Sequence, residues 1–183
     1  MPKSGENTRR EILNAANQIV INQGVDSLTL EATARAAGIS KGGLLYHFPS
    51  KQALIEGMIR WYLQRFEADL SSSAQALGAT QPGRLTRAYL ETTFADNARI
   101  PRLNAGLLAA IATDPALLTP VQERFSEWVK MLDQDNLDPV TTTIIRLVAD
   151  GLWLVELFGL APPDDAMKAR VQEALVSLAQ TTP

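Results

Sequence analysis

TLEATARAAGISKGGLLYHFPSK, residues 29–51, reads as two short helices joined by a tight turn at Gly38. Thr29 is placed to cap the first, because a hydroxyl there can accept from backbone N–H groups that a helix start leaves unpaired. The body of that helix, Leu30 to Ala37, is rich in alanine. Small side chains let two helices cross closely, as a helix-turn-helix needs. Gly38 supplies the backbone freedom of the turn, and Ile39 plugs the angle between the helices. Ser40 caps the next helix, Lys41 to Phe48. Leu44 and Phe48, four apart, face inward, which leaves Lys41, Gly42, Leu45 and Tyr46 on other faces. Pro49 ends it, since the residue before a proline avoids helical geometry. Gly42 and Gly43 each cost roughly 1 kcal/mol relative to alanine in a helix. Either the first turn is loosely helical, or a bare backbone lets the helix end approach something closely. Inside such a helix the second reading is favoured.

Working outward, Ile12, Ala16, Ile19 and Val20 recur at helical spacing and place a first helix at residues 8–22. Asn7 or Thr8 can cap it and Gly24 can stop it. Arg9 and Arg10 on its exposed face suit either phosphate contact or plain solvation. After the motif, Ser50 caps a fourth helix carrying Leu54, Met58, Trp61, Tyr62 and Phe66 and running to Leu70, about 30 Å at a rise of about 1.5 Å per residue. Ser71-Ser72-Ser73 and the stretch from Gly78 to Gly83 read as the first loop region. Beyond it every periodic segment is helical: 83–97, Leu103 to Ala112, Thr119-Pro120 to Asp133, Pro139 to Phe158 stopped by Gly159, and a last helix of 165–179 behind Pro162-Pro163-Asp164. Asp114-Pro115, Thr119-Pro120 and Asp138-Pro139 each pair a capping residue with proline at the first helical position. No strand pattern and no repeat appears. The expectation is an all-α protein of about nine helices. A three-helix head, 1–54, is joined by a long fourth helix to a helical body, 55–183.

Bulk composition excludes several classes. The chain has 183 residues, 46% of them hydrophobic and 20% charged, an ordinary globular balance. With no cysteine there is no disulfide framework and no Cys-based zinc site. This suits a reducing cytoplasm. The start lacks the apolar core of a signal peptide. The most apolar run, Ile144 to Leu160, is broken by Arg146, Asp150 and Glu156 and reads as a buried helix rather than a membrane span. Residues 1–52 carry six Lys/Arg against four Asp/Glu, and the remainder eleven against sixteen. A modestly basic head on an acidic body suits a small DNA-reading module. One histidine and no clustered partners leave no metal site, and no nucleophile–base pair or glycine-rich phosphate loop points to an enzyme or a cofactor.

Residues 8–54 resemble the DNA-binding head of the TetR/AcrR family of bacterial regulators. The resemblance rests on the Thr29 cap, Ala34 to Ala37, Gly38-Ile39-Ser40, Leu44, Tyr46-His47-Phe48, Lys51 and Ala53-Leu54. Chain length and the all-helical plan agree, and Ala149-Asp150-Gly151-Leu152-Trp153 resembles one body subtype. Leu45 departs from the family, which often has an aromatic pair before the histidine. A leucine makes only apolar contact, for instance with a thymine methyl, so no operator is inferred from relatives.

The resemblance implies that the Lys41–Phe48 helix enters the major groove, with Lys41 reading guanine edges. Gly42, Gly43 and Leu45 would approach bases, and Thr29, Ser40, Tyr46, His47 and Lys51 would hold phosphates. The alternative for His47 is core packing. Two-fold symmetric DNA calls for a homodimer. The helices at 139–158 and 165–179 carry more apolar surface than one partner covers, and either pair with their symmetry mates or are internal core. The remaining helices should enclose a pocket for a small, mostly apolar effector. Its candidate liners are Trp61, Tyr62, Phe66, Tyr89 and Phe94, then Leu107, Ile111, Phe125, Trp128 and Trp153, although aromatics at helical spacing also serve as core. Arg146, Asp150 and Asn104 would orient the effector, or Arg146 and Asp150 pair with each other. The expected function is a DNA-binding repressor released by its effector. An activator or an effector-independent regulator of the same fold is the alternative.

Overall fold

A computed structural model of the chain describes residues 5–78, 81, 83–99 and 101–180, with side chains described outside 96–105. Its α-helices are α1 Gly5–Gln23, α2 Leu30–Ala36, α3 Lys41–His47, α4 Lys51–Ala76, α5 Arg84–Arg99, α6 Pro101–Thr113, α7 Thr119–Leu132, α8 Pro139–Phe158 and α9 Asp165–Leu178. Short 3₁₀ turns at Val25–Ser27 and Pro115–Leu118 complete the order. No strand occurs among the described residues. The all-α expectation holds, and most helix ends fall within a few residues of where the sequence places them.

Two helix ends differ from the expectation. α1 starts at Gly5, ahead of both expected caps. Ser71, Ser72 and Ser73 are helical, because α4 runs on to Ala76 instead of ending near Leu70. Serine has only a modest intrinsic preference against helix, and burial of Leu70 and Ala74 carries the turn forward. Ser73 then donates its hydroxyl to Glu91 at 2.7 Å.

Contacts divide the chain into two compact units, Met1–Leu63 with Arg102–Gln122, and Gln64–Pro101 with Glu123–Pro183. The division drawn from the sequence at residues 54 and 55 separates roles. The compact units follow another line, since residues 102–122 pack with the first of them.

In the first unit Ile12, Leu13, Ala16 and Val20 of α1 are buried with Leu28, Ala34, Leu44, Phe48, Leu54 and Met58. Each large apolar side chain so buried contributes about 1.5–3 kcal/mol. Gly24 (φ 84°) and Gly38 (φ 67°) take the positive backbone angles that reverse the chain after α1 and α2. Gly57 is buried against the edge of the Phe48 ring, which an added methyl would meet at 2.5 Å.

The second unit is built on Leu90, Ile145, Ala149, Leu175 and Ala179, with Phe94, Leu137, Val148, Val171 and Val176 packed against them. Asp138 caps α8 through Thr141 N–H at 2.9 Å, and Gly159 (φ 64°) closes it in the left-handed region. The start of α5 is held from 50 residues away: the buried Asp135 carboxylate accepts from Leu85 N–H at 2.9 Å and Thr86 N–H at 2.7 Å. Gly83, at φ 68°, leads the chain into this cap, and a Cβ there would overlap the carbonyl oxygen of Ala179. Gly83→Ala therefore combines left-handed strain with overpacking, and should lower unfolding free energy by about 3 kcal/mol. A urea titration followed by circular dichroism measures it. A midpoint equal to that of the wild type would contradict this packing.

Candidate nucleic-acid interface and effector site

α2 and α3 form the helix-turn-helix expected from the sequence, and local chemistry accounts for both starts. Thr29 Oγ1 accepts from Ala32 N–H at 3.0 Å, and Ser40 Oγ accepts from Gly43 N–H at 3.1 Å. Each hydroxyl keeps its own O–H free to donate outward, for instance to a phosphate oxygen. Ser50 repeats the device at α4, accepting from Ala53 N–H at 3.0 Å. Thr33, fully buried, donates to the Thr29 carbonyl at 2.8 Å and ties the α2 face to its cap.

The two faces of α3 are sharply different. Leu44 and Phe48 are buried. Tyr46 is 86% exposed and Leu45 37%, and Lys41, Gly42, Thr29, Ser40 and Lys51 are all exposed. His47 is half-buried, its ring edge-on to Tyr46 at 5.2 Å. The two glycines differ. A methyl on Gly43 would stand 3.3 Å from Ser40 Oγ, so this glycine makes room for the cap. A methyl on Gly42 would stand 4.0 Å from Ser40 Oγ, an ordinary contact, so nothing among the described residues requires that glycine.

Two contacts near this face were not visible in the sequence. Lys41 forms an ion pair with Glu31 of α2, and its hydrogen bond holds the Glu31 carboxyl below the usual range. The Arg9 guanidinium lies over the Phe48 ring, 4.9 Å from its centroid, covering the outer side of a core residue. Residues 31 and 41 are neither helical neighbours nor part of a charge run, so only the folded turn brings them together.

The residues expected to line a pocket fall into two groups. Trp61, Tyr62, Leu107 and Ile111 belong to the first unit, where Leu107 is buried and the others are half-buried. Asn104 lies in α6, and its side chain is outside the described residues. In the second unit Phe66, Tyr89, Phe125 and Trp128 form one aromatic cluster. Trp128 sits 4.7 Å from Phe66, 5.0 Å from Phe125 and 6.2 Å from Tyr89, centroid to centroid. Its buried indole N–H has no hydrogen-bond partner among the described residues. Phe94 instead packs on the core of this unit under the Lys168 ammonium, and Trp153 is half-buried on α8.

Of the two roles open to Arg146 and Asp150, the structure shows the pair, at 3.3 Å. Asp150 also accepts from the Tyr89 hydroxyl at 2.6 Å, a contact across 61 residues. Burial, and then the Asp150 charge, push the Tyr89 phenol up, so it stays a donor. Burial raises the Asp150 carboxyl against the opposing pull of Tyr89 and Arg146. The cluster thus combines mutually packed aromatic rings, one donor without a partner among the described residues and a polar edge of Tyr89, Asp150 and Arg146.

This arrangement of a helix-turn-helix with a two-faced α3 and an all-helical body agrees with comparison to known proteins. The family described as "Bacterial regulatory proteins, tetR family" matches residues 12–58, and that described as "Tetracyclin repressor-like, C-terminal domain" matches residues 83–180. The chain belongs to the TetR family of helix-turn-helix transcriptional regulators. It is 41% identical over 59 residues to the HTH-type transcriptional regulator UidR of Escherichia coli strain K12, spanning 32% of this chain but only 30% of that relative. A longer match joins it to the HTH-type transcriptional regulator BetI of Ectopseudomonas mendocina, 29% identical over 168 residues, 84% of this chain and 85% of that one. Among solved structures, a TetR family member from Streptomyces coelicolor A3 is 27% identical with a TM-score of 0.71, covering 95% of this chain and 99% of its own. The multidrug binding protein EbrR complexed with malachite green is 25% identical with a TM-score of 0.66, covering 94% and 98%. No helix among the described residues is long and apolar enough to cross a membrane.

The raised Asp150 carboxyl gives a signed prediction. It binds its proton more tightly in the folded chain than in the unfolded one, where its value is 3.8. Its stability contribution is therefore complete below 3.8 and is lost as pH rises through the raised folded value. Asp150→Asn should remove that loss, so that wild-type stability declines relative to the variant with rising pH in thermal melts across the acid range. Parallel curves would show that the carboxyl is not held up by burial. The two caps give a second prediction: Thr29→Ala and Ser40→Ala should each cost about 1 kcal/mol in denaturant titrations.

Proposed function

We propose that the chain is a cytoplasmic homodimeric repressor that reads a two-fold symmetric operator through α3 and is released by a small, mostly apolar effector. The observation that carries the DNA half of this reading is the split of α3. Burial of Leu44 and Phe48 turns Lys41, Gly42, Leu45 and Tyr46 outward. Lys41 reads guanine acceptors, for which it must leave Glu31, and Gly42, Gly43 and Leu45 approach bases. Thr29, Ser40, Tyr46, His47 and Lys51 hold phosphates. In this reading residues 1–54 are the DNA-binding head and 55–183 the ligand-binding and dimerisation body.

The effector half is supported by the four-ring cluster with its unpartnered Trp128 N–H and by its polar edge at Asp150. A flat apolar molecule with one acceptor matches both, and EbrR with malachite green is a structural relative that binds a small aromatic molecule. Release from DNA requires the effector to prefer a state whose two heads are wrongly spaced. Support for the dimer comes from the outer apolar surface of α8 and α9. The protein works by binding rather than by catalysis.

Selection of bound DNA from a random pool, at stated salt, tests binding, symmetry and spacing together. Two matching half-sites are expected, and recovery of unrelated sequences would overturn the reading. Lys41→Ala should cost about 1–3 kcal/mol on the selected site and relax its preference at one position. Lys51→Ala should weaken selected and scrambled DNA alike and lower the salt slope by about 1. Equal losses on both DNAs for Lys41→Ala would remove it from base reading. A reporter driven by the selected site should fall when the protein is present, and a rise would make it an activator.

A further inference from the structure

We propose that Glu31 sets the selectivity of α3: paired with Lys41, it keeps that lysine from settling on phosphates and yields it only at a G·C base pair. The inference rests on the DNA-reading role given to Lys41 above and adds a second residue to it.

The carboxylate is out of place on this surface. Between residues 29 and 51 Glu31 is the sole acidic residue, against Arg35, Lys41 and Lys51. The starts of α2 and α3 are capped by Thr29 and Ser40, so neither needs it. Arg35, one helical turn further along α2, is the partner that local spacing offers a glutamate. Glu31 instead pairs across the turn with Lys41, at the start of α3. The Lys41 hydrogen bond holds its carboxyl low, so the group is ionised at neutral pH. The result is a fixed negative charge set against the proposed base reader, on a face that would meet a polyanion.

Charge and the base-edge pattern decide what such a pair accepts. A phosphate offers acceptors and negative charge only. Lys41 can take one only if the carboxylate comes up against like charge, or is left without a donor. An unpaired charge of that kind discriminates against the wrong partner. A G·C pair is different. In the major groove it presents guanine O6 and N7 as acceptors and the cytosine N4 amino group as a donor. Lys41 can pass to the guanine while Glu31 accepts from the cytosine amine, and both side chains keep a partner. Both are open to solvent, 57% exposed at Lys41 and 61% at Glu31, so the pair exchanges readily. Discrimination then comes from where the carboxylate ends.

Fluorescence anisotropy of the full chain on the selected site and on a scrambled duplex, over a range of salt, tests this. Glu31→Gln keeps the size of the side chain and removes its charge. It should tighten scrambled DNA about fivefold and steepen its salt slope by about 1, because Lys41 gains a phosphate. The preference for selected over scrambled DNA should fall about tenfold. In a Lys41→Ala background the same change should move scrambled DNA by less than about twofold and leave the slope unaltered, since the two side chains act as one unit. A gain that survives Lys41→Ala in full makes Glu31 a distant charge and overturns the inference. So does a Glu31→Gln effect equal on both DNAs. In either case Lys41→Ala alone still reports on base reading by Lys41, which stands if its loss is confined to the selected site. Equal losses on both DNAs for Lys41→Ala alone overturn that role and the inference with it. Should Glu31→Gln fail to fold, Glu31→Ala carries the same comparison.

Discussion

A seven-residue helix with two glycines does not persist by itself in water, and α3 is such a helix. It depends on Leu44 and Phe48 being buried against the first unit. That burial sets the orientation of the helix as well as its existence, because the positions left over are the ones turned to solvent. The Ser40 cap and the Arg9 guanidinium over Phe48 reinforce the same placement. Thus the chemistry that α3 turns to solvent at Lys41, Leu45 and Tyr46 is a consequence of packing on the opposite side.

The same logic governs α8 on a larger scale. Its inner face is consumed by Leu90, Leu175 and Ala179, and Asp150 is drawn inward by Tyr89. What remains outside is apolar. The Ala149–Trp153 motif therefore divides its labour by helical phase: Ala149 fills the core, Asp150 anchors α5, and Gly151 lies exposed on the outer face. Adjacent residues serve different surfaces because each step along a helix turns the side chain by about 100°.

Polar contacts are where sequence reasoning reached least far. Thr29, Ser40, Asp138 and Asp164 cap helices within three residues of themselves and were open to inspection. Asp135 caps α5 from 50 residues away, and Glu31 meets Lys41 across the turn. Neither has a periodic signature, since a charged side chain on a surface and one recruited to a distant helix start look alike in one dimension. The serine run at 71–73 misleads for a related reason: weak local preference yields to burial of Leu70 and Ala74.

By itself, the sequence determined the all-α class, the helix-turn-helix at residues 29–48 and its inward pair Leu44 and Phe48. These follow from periodicity, caps and glycine turns, which are local. Tertiary structure alone decided which candidate effector residues share a place. It gathered Phe66, Tyr89 and Phe125 around Trp128 and put Trp61, Tyr62, Leu107 and Ile111 in the other unit. Helical spacing marks an apolar residue as inward, but which inward surface it joins is set by contacts between elements far apart in the chain.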